Sequence, residues 1–243
     1  MRTIIMAAGA SRRLQPLTDT IPKTLLKLGE KTILARILDT AREQSLTHFD
    51  IVTGHGHPAV EEFAAEYQTA HPDININLIY NDQYDSTGNI VSLQYANQAF
   101  DEDFLIVNSD TIFHADILKR LLDSNHPNAM VVDNVSQLGE EEMKVLTDDK
   151  EAITHIHKSL DPDSATGEYI GIMKLSKDVK QKLLNSLDQT INKDNSLYYE
   201  DALQHLITDN GITIHPVYTD SLPSMEIDTP EDLDDAGKLI LEM

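Results

Sequence analysis

Apolar residues along the chain come in short blocks, and the blocks alternate between two periods. Residues 3–6, 49–53 and 104–107 are compact, mostly apolar runs of the kind found in strands covered on both faces. Residues 74–80 alternate apolar side chains with Asn, and 129–133 form a fifth run. Between them, 33–44 place Ile33, Leu34, Ile37, Leu38 and Ala41 at helical spacing, and 59–70 read as helix after the turn at 54–58. Strands alternating with helices predict an α/β fold: a doubly wound, mostly parallel sheet that binds ligands at the carboxyl ends of its strands. Further on, 143–147, 152–157 and 169–175 read as strands separated by turn residues at 148–150 and 161–163. They predict a small antiparallel extension. A helix over 178–187, another entered at 198–203, a strand over 212–217 and a closing helix over 232–243 complete the chain. No internal repeat and no Gly-, Pro- or Ser-rich linker interrupts it, so residues 1–243 are expected to form a single domain.

Composition narrows the function. The 243 residues contain 41 acids, 19 Lys and Arg and no cysteine, for a formal charge of −22. Disulfides and thiolate metal sites are excluded. Such an acidic surface disfavours nucleic acid and anionic membranes as partners. No apolar run approaches the ~18 residues of a membrane span. The first strand begins at once, without a signal-peptide pattern, and a cytoplasmic location is expected. An anionic nucleotide would need a local basic island, and Arg12, Arg13, Lys23 and Lys27 form one.

That island follows the first strand and the small residues Ala7, Ala8, Gly9, Ala10 and Ser11. Small residues let backbone amides approach and cradle phosphate oxygens. The turn is neither a P-loop nor a dinucleotide fingerprint. From the residues alone, a phosphate grip and an ordinary strand-to-helix turn with surface arginines stand equal. Asp110 ends an apolar strand at the ligand edge, where an anion needs a partner. It lies too far upstream to cap the helix at 115–122, for which His114 and Asp116 are closer. A divalent cation suits it, since Mg²⁺ takes one or two carboxylates plus phosphate oxygens. Asp228 ends a second apolar piece, just before Thr229 and Pro230 open the last helix as cap and first-turn residue. Glu231 and Asp232 favour that helix's N-terminus. The pairs His55/His57 and His155/His157 have no third ligand at a defined spacing and are not assigned to a metal.

The stretch Ala7-Ala8-Gly9-x-x-x-Arg13-x-x-Pro16-x-Thr18-x-x-x-Pro22-Lys23 resembles the signature of nucleotidyltransferases that activate phosphorylated small molecules with an NTP. Glucose-1-phosphate thymidylyltransferases and bacterial phosphocholine cytidylyltransferases belong to that group. One departure is Ser11, where the family often has Gly. The resemblance implies a Rossmann-like nucleotidyltransferase fold, with an NTP-binding half (1–133), an acceptor-side half (134–224) and a closing segment (225–243). It implies that the loop amides of Ala7, Ala8, Gly9, Ala10 and Ser11 hold the NTP phosphates. Arg13 and Lys23 would act on the reacting phosphates, and Asp110 and Asp228 would bind Mg²⁺. Arg12 matches no invariant position and is left as a surface charge.

Residues 81–93 resemble the base-recognition loop of phosphocholine cytidylyltransferases, which points to CTP and to Asn81, Thr87, Gly88, Asn89 and Ser92. Asn89 is also a plausible helix N-cap. On the acceptor side, Glu168-Tyr169-Ile170-Gly171 resembles a family segment in which a glycine leaves room for substrate. Lys144 suits an acceptor phosphate or a solvated strand equally. Tyr199 and Glu200 suit a cationic head group, as they would any acidic helix start; the absence of Trp argues against a full aromatic cage. The expected reaction is Mg²⁺-dependent transfer from CTP to phosphocholine, 2-aminoethylphosphonate or a similar small phosphate or phosphonate. The alternatives are a sugar-1-phosphate or polyol-phosphate nucleotidyltransferase and a catalytically silent nucleotide-binding regulator. Oligomeric state is not legible.

Overall fold

The structure, a computed structural model, describes residues 1–241 and 243. The chain enters through β1 (Arg2–Ala7), a small hairpin of β2 (Lys27–Leu28) and β3 (Lys31–Thr32), α1 (Ile33–Glu43), β4 (His48–Thr53), α2 (His57–Ala70) and β5 (Asn75–Tyr80). It continues with α3 (Asn89–Tyr95), β6 (Phe104–Asn108), β7 (Thr111–Phe113), α4 (Ala115–Asp123) and β8 (Ala129–Asp133). The remainder is β9 (Lys144–Thr147), β10 (Ile153–His157), β11 (Gly167–Leu175), α5 (Lys180–Lys193), α6 (Tyr199–Thr208), β12 (His215–Tyr218), β13 (Ser224–Glu226) and α7 (Pro230–Leu239).

β1 lies between β4 and β6, parallel to both, and β5 is parallel to β4. The main sheet runs β10-β9-β11-β6-β1-β4-β5, with β8 and β12 attached beside β11. Side chains alternate across this sheet, so neighbours on β1 serve opposite cores. Ile5 packs with Leu34, Ile37 and Leu121 from α1 and α4, whereas Ile4 packs with Leu93, Leu187 and Leu203 from α3, α5 and α6. This is the doubly wound arrangement expected, with helices on both faces.

The sheet is more mixed than the strand pattern suggests. β11 runs antiparallel against β6, β8 and β9, so it joins the central parallel strands to the extension. The pairing of β13 with β7 was not legible, because each strand is only three residues long. That pairing brings the 225–233 segment beside the end of β6. Asn89 is not the cap of α3: Gly88 holds that place, and the Asn89 Oδ1 accepts instead from the Tyr199 backbone N–H at 2.8 Å. α7 begins at Pro230 under a capping box of Thr229 and Asp232, and ends at Leu239. Among the described residues no helix is long and apolar enough to cross a membrane.

One ion pair anchors the middle of the sheet. Asp50 on β4 is 1 % exposed, and its carboxylate accepts from Arg2 Nε and Nη2 and from Asn77 Nδ2, each at 2.8 Å. Removing one partner of a buried pair strands the other charge. Arg2→Ala should therefore cost about 3 kcal/mol, read as a lower urea midpoint with an unchanged slope.

Candidate active site

The loop after β1 lies open to solvent on one side and braced on the other. Ser11 O accepts from Thr18 Oγ1 at 3.0 Å, His55 Nε2 lies 2.7 Å from Thr18 O, and the His55 N–H donates to Ala8 O at 3.1 Å. Ser11 sits at φ +48°, the left-handed region, which explains a glycine preference at this position; serine holds it at a cost of about 1 kcal/mol. A Cβ placed on Gly9 would meet nothing within 4 Å, so that backbone faces open space. Ala7, Ala8, Gly9, Ala10 and Ser11 line one wall of a cavity of about 530 Å³.

Thr87, Gly88, Asn89 and Ser92 line the facing wall, with Tyr84 and Tyr198. Gly88 is needed for contact with protein: its Cβ would fall 1.9 Å from Leu197 O, and its N–H donates to Asn195 O at 2.8 Å. Asn81 does not reach the cavity. It is fully buried, donates to Ser92 Oγ at 2.9 Å and accepts from the Gln83 N–H, so it shapes the loop from behind. Arg12, left as a surface charge, is exposed but lies on the cavity rim.

At the floor of the cavity four charges meet. Lys23, 8 % exposed, donates from Nζ to Asp110 Oδ2 at 2.9 Å, Asp228 Oδ1 at 3.0 Å and Ile227 O at 2.8 Å. Arg13 Nη2 reaches Asp228 Oδ2 at 2.6 Å. Burial alone would lower the Lys23 pKa; the charges and hydrogen bonds of Asp110 and Asp228 outweigh it and raise the pKa. Burial would raise the Asp228 pKa, but the charge and hydrogen bond of Lys23, then Arg13, hold it down. Asp228 is therefore held in its ionised form, as a metal ligand must be. The Asp110 Oδ1 is buried without a hydrogen-bond partner. An orphaned carboxylate oxygen beside a second carboxylate fits a hard divalent cation that takes its other ligands from phosphate and water. Among the described residues no group of three or more His, Asp or Glu could hold a metal by itself. His55 and His57 are engaged by Thr18 O and Thr53 Oγ1.

Arg13 and Asp228 also border a second cavity of about 370 Å³, between β11, β13 and the loop after β10. Of the acceptor-side residues expected from sequence, Glu168 lines it. Lys144 does not. It is fully buried, and its Nζ donates to the carbonyls of Gly139, Glu140 and Glu142, so it serves the fold. Tyr169 and Tyr199 are buried as well, with hydroxyls 3.0 Å apart, and Tyr199 Oη donates to Asn108 Oδ1. Gly171, at φ +77°, makes room for Asn108 rather than for substrate: a Cβ there would lie 2.4 Å from Asn108 Nδ2. Glu200 is buried beneath these tyrosines with Oε2 unpartnered.

Sequence reasoning missed Asn108, Glu226, Lys158 and Tyr198. Asn108 and Glu226 are the last residues of β6 and β13, two positions before Asp110 and Asp228, and their place at strand ends was the available signal. Lys158, in a loop, and Tyr198, beside the expected Tyr199, gave no such signal. Burial and the nearby charges of Glu142 and Asp133 push Glu168 up to about 7. Burial, with Asp110, Glu168 and Asp228 adding to it, pushes Glu226 up to about 8.

The model of the MobA-like NTP transferase domain matches residues 3–189, and the chain belongs to that family. It is 26 % identical to the choline-phosphate cytidylyltransferase of Haemophilus influenzae over all of this chain and 97 % of that one. It is 27 % identical to the bifunctional protein GlmU of Methanocaldococcus jannaschii over all of this chain but only 55 % of GlmU, so it spans about half the length of that relative. The inositol-1-phosphate CTP transferase of T. maritima superposes with a TM-score of 0.83 at 20 % identity, over 99 % of this chain and 95 % of that one, which shows a shared fold.

Two predictions follow from the geometry. Gly9→Ala puts a methyl into open space in the cavity, so melting should be unchanged while nucleotide affinity, measured by calorimetry, falls about tenfold or more. Glu200 is pushed up to about 7 by burial, from the usual 4.5. Between those values the folded chain keeps a proton that the unfolded chain has released, so stability falls as pH rises through this window. Glu200→Gln should flatten that fall, by up to ~3 kcal/mol between pH 4.5 and 7 in urea titrations.

Proposed function

We propose that this member of the NTP transferase family is a Mg²⁺-dependent cytidylyltransferase. It would join CTP to a small phosphate or phosphonate of the phosphocholine or 2-aminoethylphosphonate type, with release of pyrophosphate. The observation that carries the reading is the position of the Lys23–Asp110–Asp228–Arg13 cluster. It lies where a nucleotide-sized cavity with an open-faced loop meets a smaller cavity, and Arg13 and Asp228 border both. Two anions brought together there face a ready-made set of counter-charges. The loop at 81–93 and the choline-phosphate cytidylyltransferase relative support CTP and this acceptor type.

The acceptor oxygen attacks the α-phosphorus, forming one P–O bond as the bond to the β-phosphate oxygen breaks. Both reactants are already anionic, so no strong base is required; the work is alignment and charge compensation. The loop amides from Ala8 to Ser11 hold the triphosphate. Arg13 compensates the departing pyrophosphate, and Lys23 compensates charge at the reacting centre. Asp110 and Asp228 would hold Mg²⁺, which when bound supplies positive charge to the phosphate oxygens. A UTP–glucose-1-phosphate uridylyltransferase of Haloferax volcanii, 27 % identical over 56 % of this chain, favours a second reading, the same chemistry on a sugar phosphate.

Pyrophosphate release, crossing five NTPs with phosphocholine, 2-aminoethylphosphonate and glucose-1-phosphate, tests the proposal. CTP with an aminoalkyl acceptor is the expected pair; turnover of glucose-1-phosphate alone would favour the second reading. Arg13→Ala should lose about 10²-fold in kcat. Asp110→Asn should abolish activity together with its Mg²⁺ response, and an unaltered metal titration would exclude Asp110 as a ligand.

A further inference from the structure

The smaller cavity is predominantly acidic. Glu168 and Glu226 reach it from β11 and β13 and five further carboxylates line it, while Arg13 and Lys158 are its cations. Glu168 is pushed up to about 7 by burial and by Glu142 and Asp133, so a cation beside it would be attracted.

The apolar part of the lining is Ile170 and Met225, and no aromatic ring takes part. Tyr169 and Tyr199 are buried elsewhere with their hydroxyls paired. Tyr198 lines the neighbouring nucleotide cavity, and the Lys158 Nζ already lies over its ring, 5.3 Å from the centroid. A quaternary ammonium has no N–H to donate and is held by aromatic faces. A primary ammonium carries three donors and is held by acceptor oxygens, carboxylates above all.

Resting on the cytidylyltransferase reading above, we propose that the acceptor carries a primary ammonium bound between Glu168 and Glu226. A short chain joins it to a phosphate or phosphonate received by Arg13 and Lys158, and trimethylammonium acceptors are selected against. Each N-methyl group removes a donor and adds bulk between two carboxylates. The discrimination is therefore built into the acceptor cavity and is independent of base recognition.

The test is steady-state pyrophosphate release with CTP and Mg²⁺ across phosphoethanolamine, its mono- and dimethyl forms, and phosphocholine. The expected result is a stepwise fall in kcat/KM, by about 10- to 100-fold overall, the size of one charge-assisted hydrogen bond. Phosphocholine turned over as well as phosphoethanolamine, or better, overturns the proposal. Glu168→Gln should shrink the ratio between those two acceptors, mainly through KM for the amine, and leave KM for CTP in place; an undiminished ratio overturns the role given to Glu168. If no acceptor releases pyrophosphate while CTP still binds, the cytidylyltransferase reading fails. Calorimetric titration of phosphoethanolamine against phosphocholine then decides the ammonium preference by itself, with tighter phosphocholine binding counting against it.

Discussion

The Lys23 ammonium holds two distant parts of the chain against its own segment. It bonds at once to Asp110 beyond β6, to Asp228 before α7, and to the carbonyl of Ile227. Two carboxylates this close would repel one another strongly in a partly buried setting without a cation between them. Lys23 makes their approach tolerable, and Arg13 takes the remaining oxygen of Asp228. Asp110 Oδ1 is left buried without a hydrogen-bond partner. A stable fold and a site able to receive another cation thus come from the same ion network.

The two cavities depend on backbone supports behind them. Gly88 and Asn89 are tied to residues 195–199, so the loop at 81–89 is clamped to the start of α6. Below that contact the Tyr169–Tyr199–Asn108 chain of hydroxyl and amide occupies the interior of the acceptor half. β11 spans both regions, since it pairs with β6 in the parallel centre and with β8 and β9 in the extension. A shift in β11 would act on Asn108 through Gly171 and on the smaller cavity through Glu168 and Ile170, so the strand is a physical link between the two cavities.

Local pattern carried a large share of this architecture. The apolar blocks at β1, β4, β6 and β8 and the helical spacing of α1 reflect burial on known faces, and burial leaves a periodic trace in sequence. The family signature singled out the loop from Ala7 to Ser11 with Arg13, Lys23, Asp110 and Asp228, and the structure brings these residues around one cavity. Ser11 shows the limit of that reasoning, for its left-handed backbone follows from the loop's path and not from its side chain.

The acceptor side was read less well, and the reason is geometric. Lys144, Tyr169, Tyr199 and Glu200 have the chemistry of ligand-binding residues, yet strand pairing and helix packing turn them inward. Tyr198 and Lys158, one residue from Tyr199 and in an unpatterned loop, face the cavities instead. By itself the sequence determined the α/β layer order of the fold, and it placed the small-residue loop, Asp110 and Asp228 at strand ends, since these arise from short-range pattern. Only the tertiary structure decided that Lys23 sits between Asp110 and Asp228, that Gly171 serves Asn108, and that Glu168 and Glu226 line one cavity. Those contacts join segments far apart in the chain, and their geometry is set by the packing of the whole sheet.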